Sequence, residues 1–314
     1  MNTWRKIITV GLNPAIDRVI EVERFALGAH QTGRLVRRTG AGKSVNVARA
    51  LATLGVPCVV TGFLGRENRR DFSGVLDHPL LTNAFLELPG ATRENITLVD
   101  PVAGQETHIR DQGLAVDQEG LARLKDKLAE LAGPDDVVVF TGSLPPGVSA
   151  ADFARLLDAC ARLGARVAVD TSGRALRALV ARELWLLKPN AAELSELFDR
   201  PLPDLEMLLS AASELARHVQ IVLLSRGSEG AYLVTADRVL RGRLTIPIQR
   251  RNVVGCGDAL LAGFLAAAWH GADPRTALVD AVACASASGV TFSPAEFNPQ
   301  TFQELKANVE VVEV

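Results

Sequence analysis

Gly255, Cys256, Gly257 and Asp258 place two glycines, a thiol and a carboxylate directly ahead of an apolar run that continues to His270 and Gly271. A run with no polar residue, closed by a glycine, predicts a helix buried on all sides that begins near Gly255. The unpaired backbone N–H groups of its first turn, together with the helix dipole, favour an anion such as a phosphate gaining charge during transfer. Asp258 in the same turn can take the proton of a hydroxyl attacking that phosphate. By local sequence alone, an aspartate capping a core helix after a glycine turn reads equally well.

Two further stretches carry ligand-binding residue types. Thr39-Gly40-Ala41-Gly42-Lys43-Ser44-Val45-Asn46 runs into a helix that ends near Gly55. Gly42-Lys43-Ser44 matches the end of a P-loop, but the position that must hold that motif's first glycine is Arg37, and the preceding segment is basic. This argues against a P-loop NTPase. Glycines, Lys43 and Asn46 at a helix start still suit a phosphate or a polyhydroxylated ligand, with a solvated lysine after a glycine turn as the plainer alternative. Asp17 follows Pro14, which stops a central strand, and is expected on or just past a turn at that strand's C-terminal end. Ligands gather there in open α/β sheets, so Asp17 is a candidate hydroxyl-binding carboxylate or an ordinary turn aspartate.

The elements that must position these residues follow from periodicity. Short apolar runs at 6–11, 57–62, 136–140, 166–170, 184–188 and 219–225 read as strands. From about residue 117 they alternate with helical stretches at 117–131, 149–163, 173–181 and 204–217, which implies a parallel sheet covered on both faces. The charged, alternating stretches 18–25 and 33–38, and the hairpin pattern of 92–99 and 106–110, do not fit that rhythm and predict a small separate sheet. A short helix is expected at 68–76, and helices at 274–290 and 299–309 close the chain. No repeat, low-complexity segment or linker divides the sequence, so one domain over 1–314 is expected, with small-sheet strands from about 12–38 and 92–112 inserted in it.

With 314 residues and a net charge of −2, the chain can bury a large core and shows no charge bias toward nucleic acid or membrane. Cys58, Cys160, Cys256 and Cys284 stand singly without CxxC spacing, which predicts reduced thiols in a cytoplasmic protein and neither a disulfide framework nor zinc. The N-terminus reads as a first strand and not as a signal peptide.

Six motifs in order carry a resemblance: Asn13-Pro14-Ala15-x-Asp17, Gly42-Lys43-Ser44-x-Asn46-Val47-Ala48, Thr92-Arg93-x-Asn95, Gly142-Ser143-Leu144-Pro145, Lys188-Pro189-Asn190-x-x-Glu193 and Gly255-x-Gly257-Asp258. Along essentially its whole length the chain resembles the PfkB (ribokinase-like) sugar kinases, most of all their 1-phosphofructokinase and tagatose-6-phosphate kinase branch. The resemblance implies an α/β ribokinase-like fold, a central mostly parallel β-sheet flanked by helices, with a small β-sheet lid. It implies ATP-dependent phosphorylation of a sugar hydroxyl, with Asp258 as general base and Gly255, Cys256 and Gly257 as the backbone cradle. It assigns Asn190 and Glu193 to magnesium and the nucleotide phosphates, Lys188 beside them, and Ser225, Gly227 and Gly230 to the turn beneath the nucleotide. Asp17, Gly42, Lys43, Asn46, Asn95 and Ser143 match sugar-binding positions, and Arg93 a lid residue reaching the substrate's existing phosphate.

General chemistry agrees with these roles, since phosphoryl transfer needs in-line positioning, a base and positive charge. The helix dipole is expected to lower the pKa of Asp258 and keep it ionised at neutral pH. Lys43 with Arg93 implies a sugar that already carries a phosphate. Fructose 1-phosphate is the expected acceptor, with tagatose 6-phosphate and fructose 6-phosphate as alternatives and a catalytically silent sugar- or nucleotide-binding regulator as the rival from another class. Two positions depart from the family. Cys256 stands where a smaller residue is usual, either as a tolerated small side chain or as a thiol of lowered pKa sensitive to oxidation. Thr97 replaces a lysine, leaving His108 or Arg110 on the next strand to supply that charge. Lid strands of such kinases often pair between subunits, so a homodimer is expected.

Overall fold

The computed structural model describes residues 5–179 and 182–314. Its strands in chain order are β1 (Ile7–Gly11), β2 (Ala15–Glu21), β3 (Arg34–Ala41), β4 (Cys58–Gly65), β5 (Leu81–Asn83), β6 (Leu86–Leu88), β7 (Glu94–Asp100), β8 (Gln105–Arg110), β9 (Val137–Thr141), β10 (Arg166–Asp170), β11 (Leu184–Leu187), β12 (Val219–Ser225), β13 (Ala231–Val234), β14 (Val239–Leu244) and β15 (Val309–Glu313). The large sheet runs β5-β4-β1-β9-β10-β11-β12 in parallel, with β6 also beside β4, and continues antiparallel through β13, β14 and β15.

The parallel strands are mostly apolar on both sides because both faces are covered. Ile7, Val137, Val139, Ala168 and Leu186 point into one apolar layer, while Ile8, Val138, Phe140, Val169 and Leu187 point into the other. Adjacent residues of each strand thus serve opposite layers, as the strand period of two requires. In the first layer, helix Cys256–Trp269 is buried from Asp258 to Ala267 and packs against helices Lys43–Thr53 and Pro274–Gly289. Gly263 permits the second contact: a Cβ there would lie 2.6 Å from the Asp280 carbonyl oxygen and 2.7 Å from Cys284 Cβ.

The expected small sheet is present, ordered β3-β2-β7-β8. Its β2–β7 pair is parallel and its outer pairs antiparallel. Asp17 lies just past the turn that follows β1, within β2, paired with Asn95 and Thr39, because the chain resumes strand pairing directly after Pro14. Three local expectations change. The stretch 68–76 falls in 3-10 turns over Arg66–Phe72, kinked at Asn68, followed by one short helical turn, Ser73–Leu76. The last helix stops at Lys306, and Val309–Glu313 forms β15, its β-branched residues completing the free edge of β14. The helix expected at 173–181 spans Arg174–Arg177, and its expected end falls outside the described residues. Among the described residues no helix is long and apolar enough to cross a membrane.

Candidate active site

Parallel pairing brings Gly11, Thr141 and Asp170 level at the C-terminal ends of β1, β9 and β10, and Lys188 follows directly on β11. Helices Lys43–Thr53 and Cys256–Trp269 begin above the same edge. Between this edge and the small sheet lies a cavity of about 1020 Å³ lined, among others, by Asp17, Lys43, Asn46, Asp170, Lys188, Glu193 and Asp258. The location is the one expected of ligand sites in open α/β sheets.

Two buried carboxylates organise its floor. Asp258 is 5% exposed, and its Oδ2 accepts a hydrogen bond from Asn46 Nδ2 at 2.8 Å. Asp170 is fully buried; its Oδ1 accepts from Lys43 Nζ at 2.9 Å, and Lys188 Nζ stands 3.3 Å from its Oδ2. Burial pushes Asp258 up to about 6, reinforced by the charge of Asp170 and opposed by Lys43, the Asn46 hydrogen bond and Lys188. The expected lowering by the helix dipole is therefore overturned, because loss of solvation and a like charge outweigh a partial charge at one helix end. The carboxylate is nevertheless mostly ionised at neutral pH, which lies above that value. Burial also opposes charge on Asp170, yet Lys188 and Lys43 hold it below the ordinary carboxylate range. Burial likewise opposes charge on Lys43, while Asp170, Asp258 and Glu193 raise it above the ordinary lysine value. It follows that Lys43→Met, by removing a cation near Asp258, should move the acid limb of a kcat/KM–pH profile upward from about 6. An unmoved limb would show that Lys43 does not act on that carboxylate.

Asp170 is the residue that the motifs did not single out. The available signal was an aspartate ending an apolar strand, Arg166–Asp170, at the sheet edge where ligands bind. Its importance depends on Lys43 and Lys188, which are near it only in the folded chain.

The turn ahead of the buried helix has the geometry expected. Gly255 caps it with φ 81°, a left-handed conformation that glycine adopts without strain, and a Cβ there would meet Ala295 N at 2.6 Å. The N–H groups of Cys256, Gly257 and Asp258, in the first turn, have no intrahelical acceptor. Gly257 lies against Lys188, whose Nζ would be 3.4 Å from a Cβ added there. Cys256 is half-buried, and its Sγ faces the Asn252 carbonyl at 3.6 Å. Burial pushes its thiol up, against the opposing charge of Arg250 and the Ser288 hydrogen bond and with Asp258 adding to the rise, which runs opposite to the lowered pKa that a reactive thiol would need. Cys256→Ala is accordingly expected to keep parental kcat, and parent and variant should lose activity equally slowly in dilute peroxide. Selective protection of the variant would restore the reactive-thiol reading.

Asn190 and Glu193 form a reciprocal capping box on helix Ala191–Leu197: Glu193 Oε2 accepts from the Asn190 N–H, and Asn190 Oδ1 accepts from the Glu193 N–H, both at 2.9 Å. Asn190 also bridges to Ser225, whose N–H donates to the Pro189 carbonyl at 2.9 Å. Gly227 and Gly230, at φ 56° and 94°, bound the short 3-10 turn Gly227–Glu229 that follows β12. The Lys188, Asn190, Glu193, Ser225, Gly227 and Gly230 set thus converges on one end of the cavity.

The other end is the face of the small sheet. Register places Asp17, Asn95 and Arg110 in one row, and Val19, Thr97 and His108 in the next. Asn95 Nδ2 donates to Asp17 Oδ1 at 3.0 Å, and Thr97 Oγ1 lies 3.1 Å from His108 Nδ1. Arg93 does not extend freely into the cavity: its guanidinium donates to the carbonyls of Asn13, Pro14 and Asp111. Lys43 likewise turns to Asp170, and Asn46 to Asp258, so two residues expected at the sugar line the cavity while contacting its carboxylates. Ser143 Oγ accepts from Asn13 Nδ2 at 3.3 Å, and Gly42, at φ 120°, lies against Pro14.

A model of the pfkB family carbohydrate kinases matches residues 5–300. The chain is 40% identical to the 1-phosphofructokinase of Rhodobacter capsulatus over 271 residues, 85% of each chain. It is 37% identical to the 1-phosphofructokinase of Xanthomonas campestris pv. campestris over 265 residues, 83% of each. Its fold is similar to that of phosphofructokinase-2 from Escherichia coli in complex with potassium, with a TM-score of 0.90 at 25% identity, covering 96% of this chain and 98% of the other.

Proposed function

Because the chain belongs to the pfkB family of carbohydrate kinases, phosphotransferases acting on a sugar hydroxyl, we propose that it phosphorylates fructose 1-phosphate to fructose 1,6-bisphosphate with ATP, using Asp258 as general base. One observation carries the reading. Asp258, a buried carboxylate oriented by Asn46, sits in the first turn of a helix whose free N–H groups open on the cavity between the Asn190–Gly230 end and the small sheet. A protein that only binds sugar or nucleotide has no need of such a base.

The acceptor lies under the small sheet, which acts as a lid, with Asp17, Asn95 and Ser143 toward its hydroxyls. The acceptor hydroxyl gives its proton to a carboxylate oxygen of Asp258 as its own oxygen bonds to the γ-phosphorus and the bond to the ADP oxygen breaks. The N–H groups of Cys256 and Gly257, with Lys188 beside them, receive the charge on the moving phosphoryl group. Closure of the lid over apolar walls excludes water. The phosphate already on the sugar meets Arg110, the unused donors of Arg93, and Lys43, which keeps N–H groups beyond the one given to Asp170.

Magnesium fits at Glu193. One carboxylate oxygen caps Asn190, leaving the other for the ion or its water, a sparse protein contribution suited to an ion that keeps its hydration and takes phosphate oxygens. It would neutralise nucleotide phosphate charge there. A homodimer through the lid fits the exposed β8 edge and the exposed Leu35, Val36 and Ile109, and a cytoplasmic setting fits four unpaired cysteines.

ADP release measured across fructose 1-phosphate, fructose 6-phosphate, tagatose 6-phosphate and free fructose tests the assignment. Fructose 1-phosphate should give the highest kcat/KM, and Arg110→Ala should raise its KM without affecting free fructose. A preference for free fructose would sink the phosphate pocket; ADP release independent of sugar would sink the kinase reading.

A further inference from the structure

We infer that Arg37 is a positioning residue that links the lid to the anion cradle through Ser293, a role that rests on phosphoryl transfer at Asp258 as proposed above. Arg37 stands on β3 opposite Val19 and lines the cavity. Its Nη1 donates to Ser293 Oγ at 3.0 Å, joining lid and body. Its buried Nε has no hydrogen-bond partner, so the Ser293 contact orients a guanidinium that keeps a buried donor unmet.

Ser293 belongs to residues 291–297, the stretch that follows helix Pro274–Gly289 and touches the cradle directly. A Cβ on Gly255 would lie 2.6 Å from Ala295 N and 2.8 Å from Pro294 Cα. Ala295 has φ 53°, a left-handed conformation unfavourable for a residue with a side chain, so its surroundings hold it there. Those surroundings are visible. Thr291 Oγ1 lies within 3.1 Å of the carbonyl oxygens of Ser288, Ser293 and Glu296, and Glu296 pairs with Arg49 on helix Lys43–Thr53. The stretch is thus a short strut with the cradle at its middle and the lid at Ser293. A movement of β3 as the lid closes on the acceptor is passed through Arg37 to the residues in van der Waals contact with Gly255, which sets where the Cys256 and Gly257 N–H groups point. The cradle is then aligned when a sugar is under the lid and less so when water is there, favouring transfer to sugar over hydrolysis.

Arg37→Ala, Ser293→Ala, the double variant and Arg37→Lys test the link. Hydrogen–deuterium exchange of amides 252–258 without any ligand should quicken in both alanine variants and no further in the double; unchanged exchange overturns the inference. In steady-state kinetics each alanine variant should lose roughly tenfold in kcat, as small misplacements of reacting groups do, with KM for ATP and fructose 1-phosphate moving less than about twofold. The double variant should be no worse than the singles, Arg37→Lys should restore much of the loss, and ADP release without sugar should rise relative to turnover with it. A raised acceptor KM at constant kcat would make Arg37 a substrate ligand, and multiplied losses would make the two residues independent; either result overturns the link. If the parent phosphorylates none of the sugars while exchange responds as expected, the kinase reading falls and the mechanical link stands.

Discussion

Asp258→Asn should lower kcat with fructose 1-phosphate by roughly 10²–10⁴-fold while ATP and sugar still bind, because the amide keeps the shape and the Asn46 neighbour but cannot take the hydroxyl proton. In the parent the same group should set the pH dependence. The base works only when ionised, so kcat/KM should fall as pH drops through about 6, the value to which burial and Asp170 push it. The variant should also unfold at higher denaturant concentration near neutral pH. A carboxyl whose folded pKa is raised from 3.8 to about 6 destabilises the folded state wherever it is ionised: fully above the folded value, not at all below the unfolded one. Asparagine removes that cost, about 1–3 kcal/mol at pH 7 and nothing near pH 3. Urea titrations of parent and variant at the two pH values check this, alongside the rate measurement. A variant that keeps substantial turnover would remove Asp258 from the chemistry, whatever its stability.

Asp170→Asn is expected to do the reverse. It strips the shared counter-charge from Lys43 and Lys188, leaving a nearly fully buried ammonium beside a neutral amide. Breaking a buried pair in this way costs about 3–5 kcal/mol. Because Asp170 is held below the ordinary carboxylate range, its contribution is present above that range and lost as pH falls through its lowered value. The stability gap between parent and variant should therefore be widest at neutral pH and close in strong acid. The kinetic signature separates this residue from a merely structural aspartate. Asp170 raises Asp258 whereas Lys43 and Lys188 lower it, so removing Asp170 should shift the acid limb of kcat/KM below about 6, opposite in sign to Lys43→Met. Parallel movement in both variants, or no movement in either, would mean that Asp170 and Lys43 do not act on Asp258 with opposite sign.

The local chemistry of this protein was legible in its sequence because it depends on neighbours in the chain. The buried helix followed from an apolar run closed by glycine, its glycine cap from Gly255, and the parallel sheet from short apolar strands alternating with helices. The small sheet followed from stretches that broke that rhythm, and the order of six motifs pointed to the family that the comparisons show. Backbone hydrogen bonds, helix starts and strand alternation are fixed within a few residues, so spacing records them.

Tertiary structure alone decided where the charges meet. Lys43 lies 127 positions from Asp170, and Asn46 lies 212 from Asp258, so no spacing could show that these residues contact the carboxylates. The pKa of Asp258 departs from the dipole expectation for the same reason: the helix dipole is visible in sequence, whereas burial and the charge of Asp170 arise only when distant strands and helices converge. Arg93 illustrates the point from the other side, since the carbonyls of Asn13, Pro14 and Asp111 that engage its guanidinium reach it only through the folding of the small sheet. Electrostatic energy depends on distance through space and on the exclusion of water, and neither is a property of the order of residues along the chain.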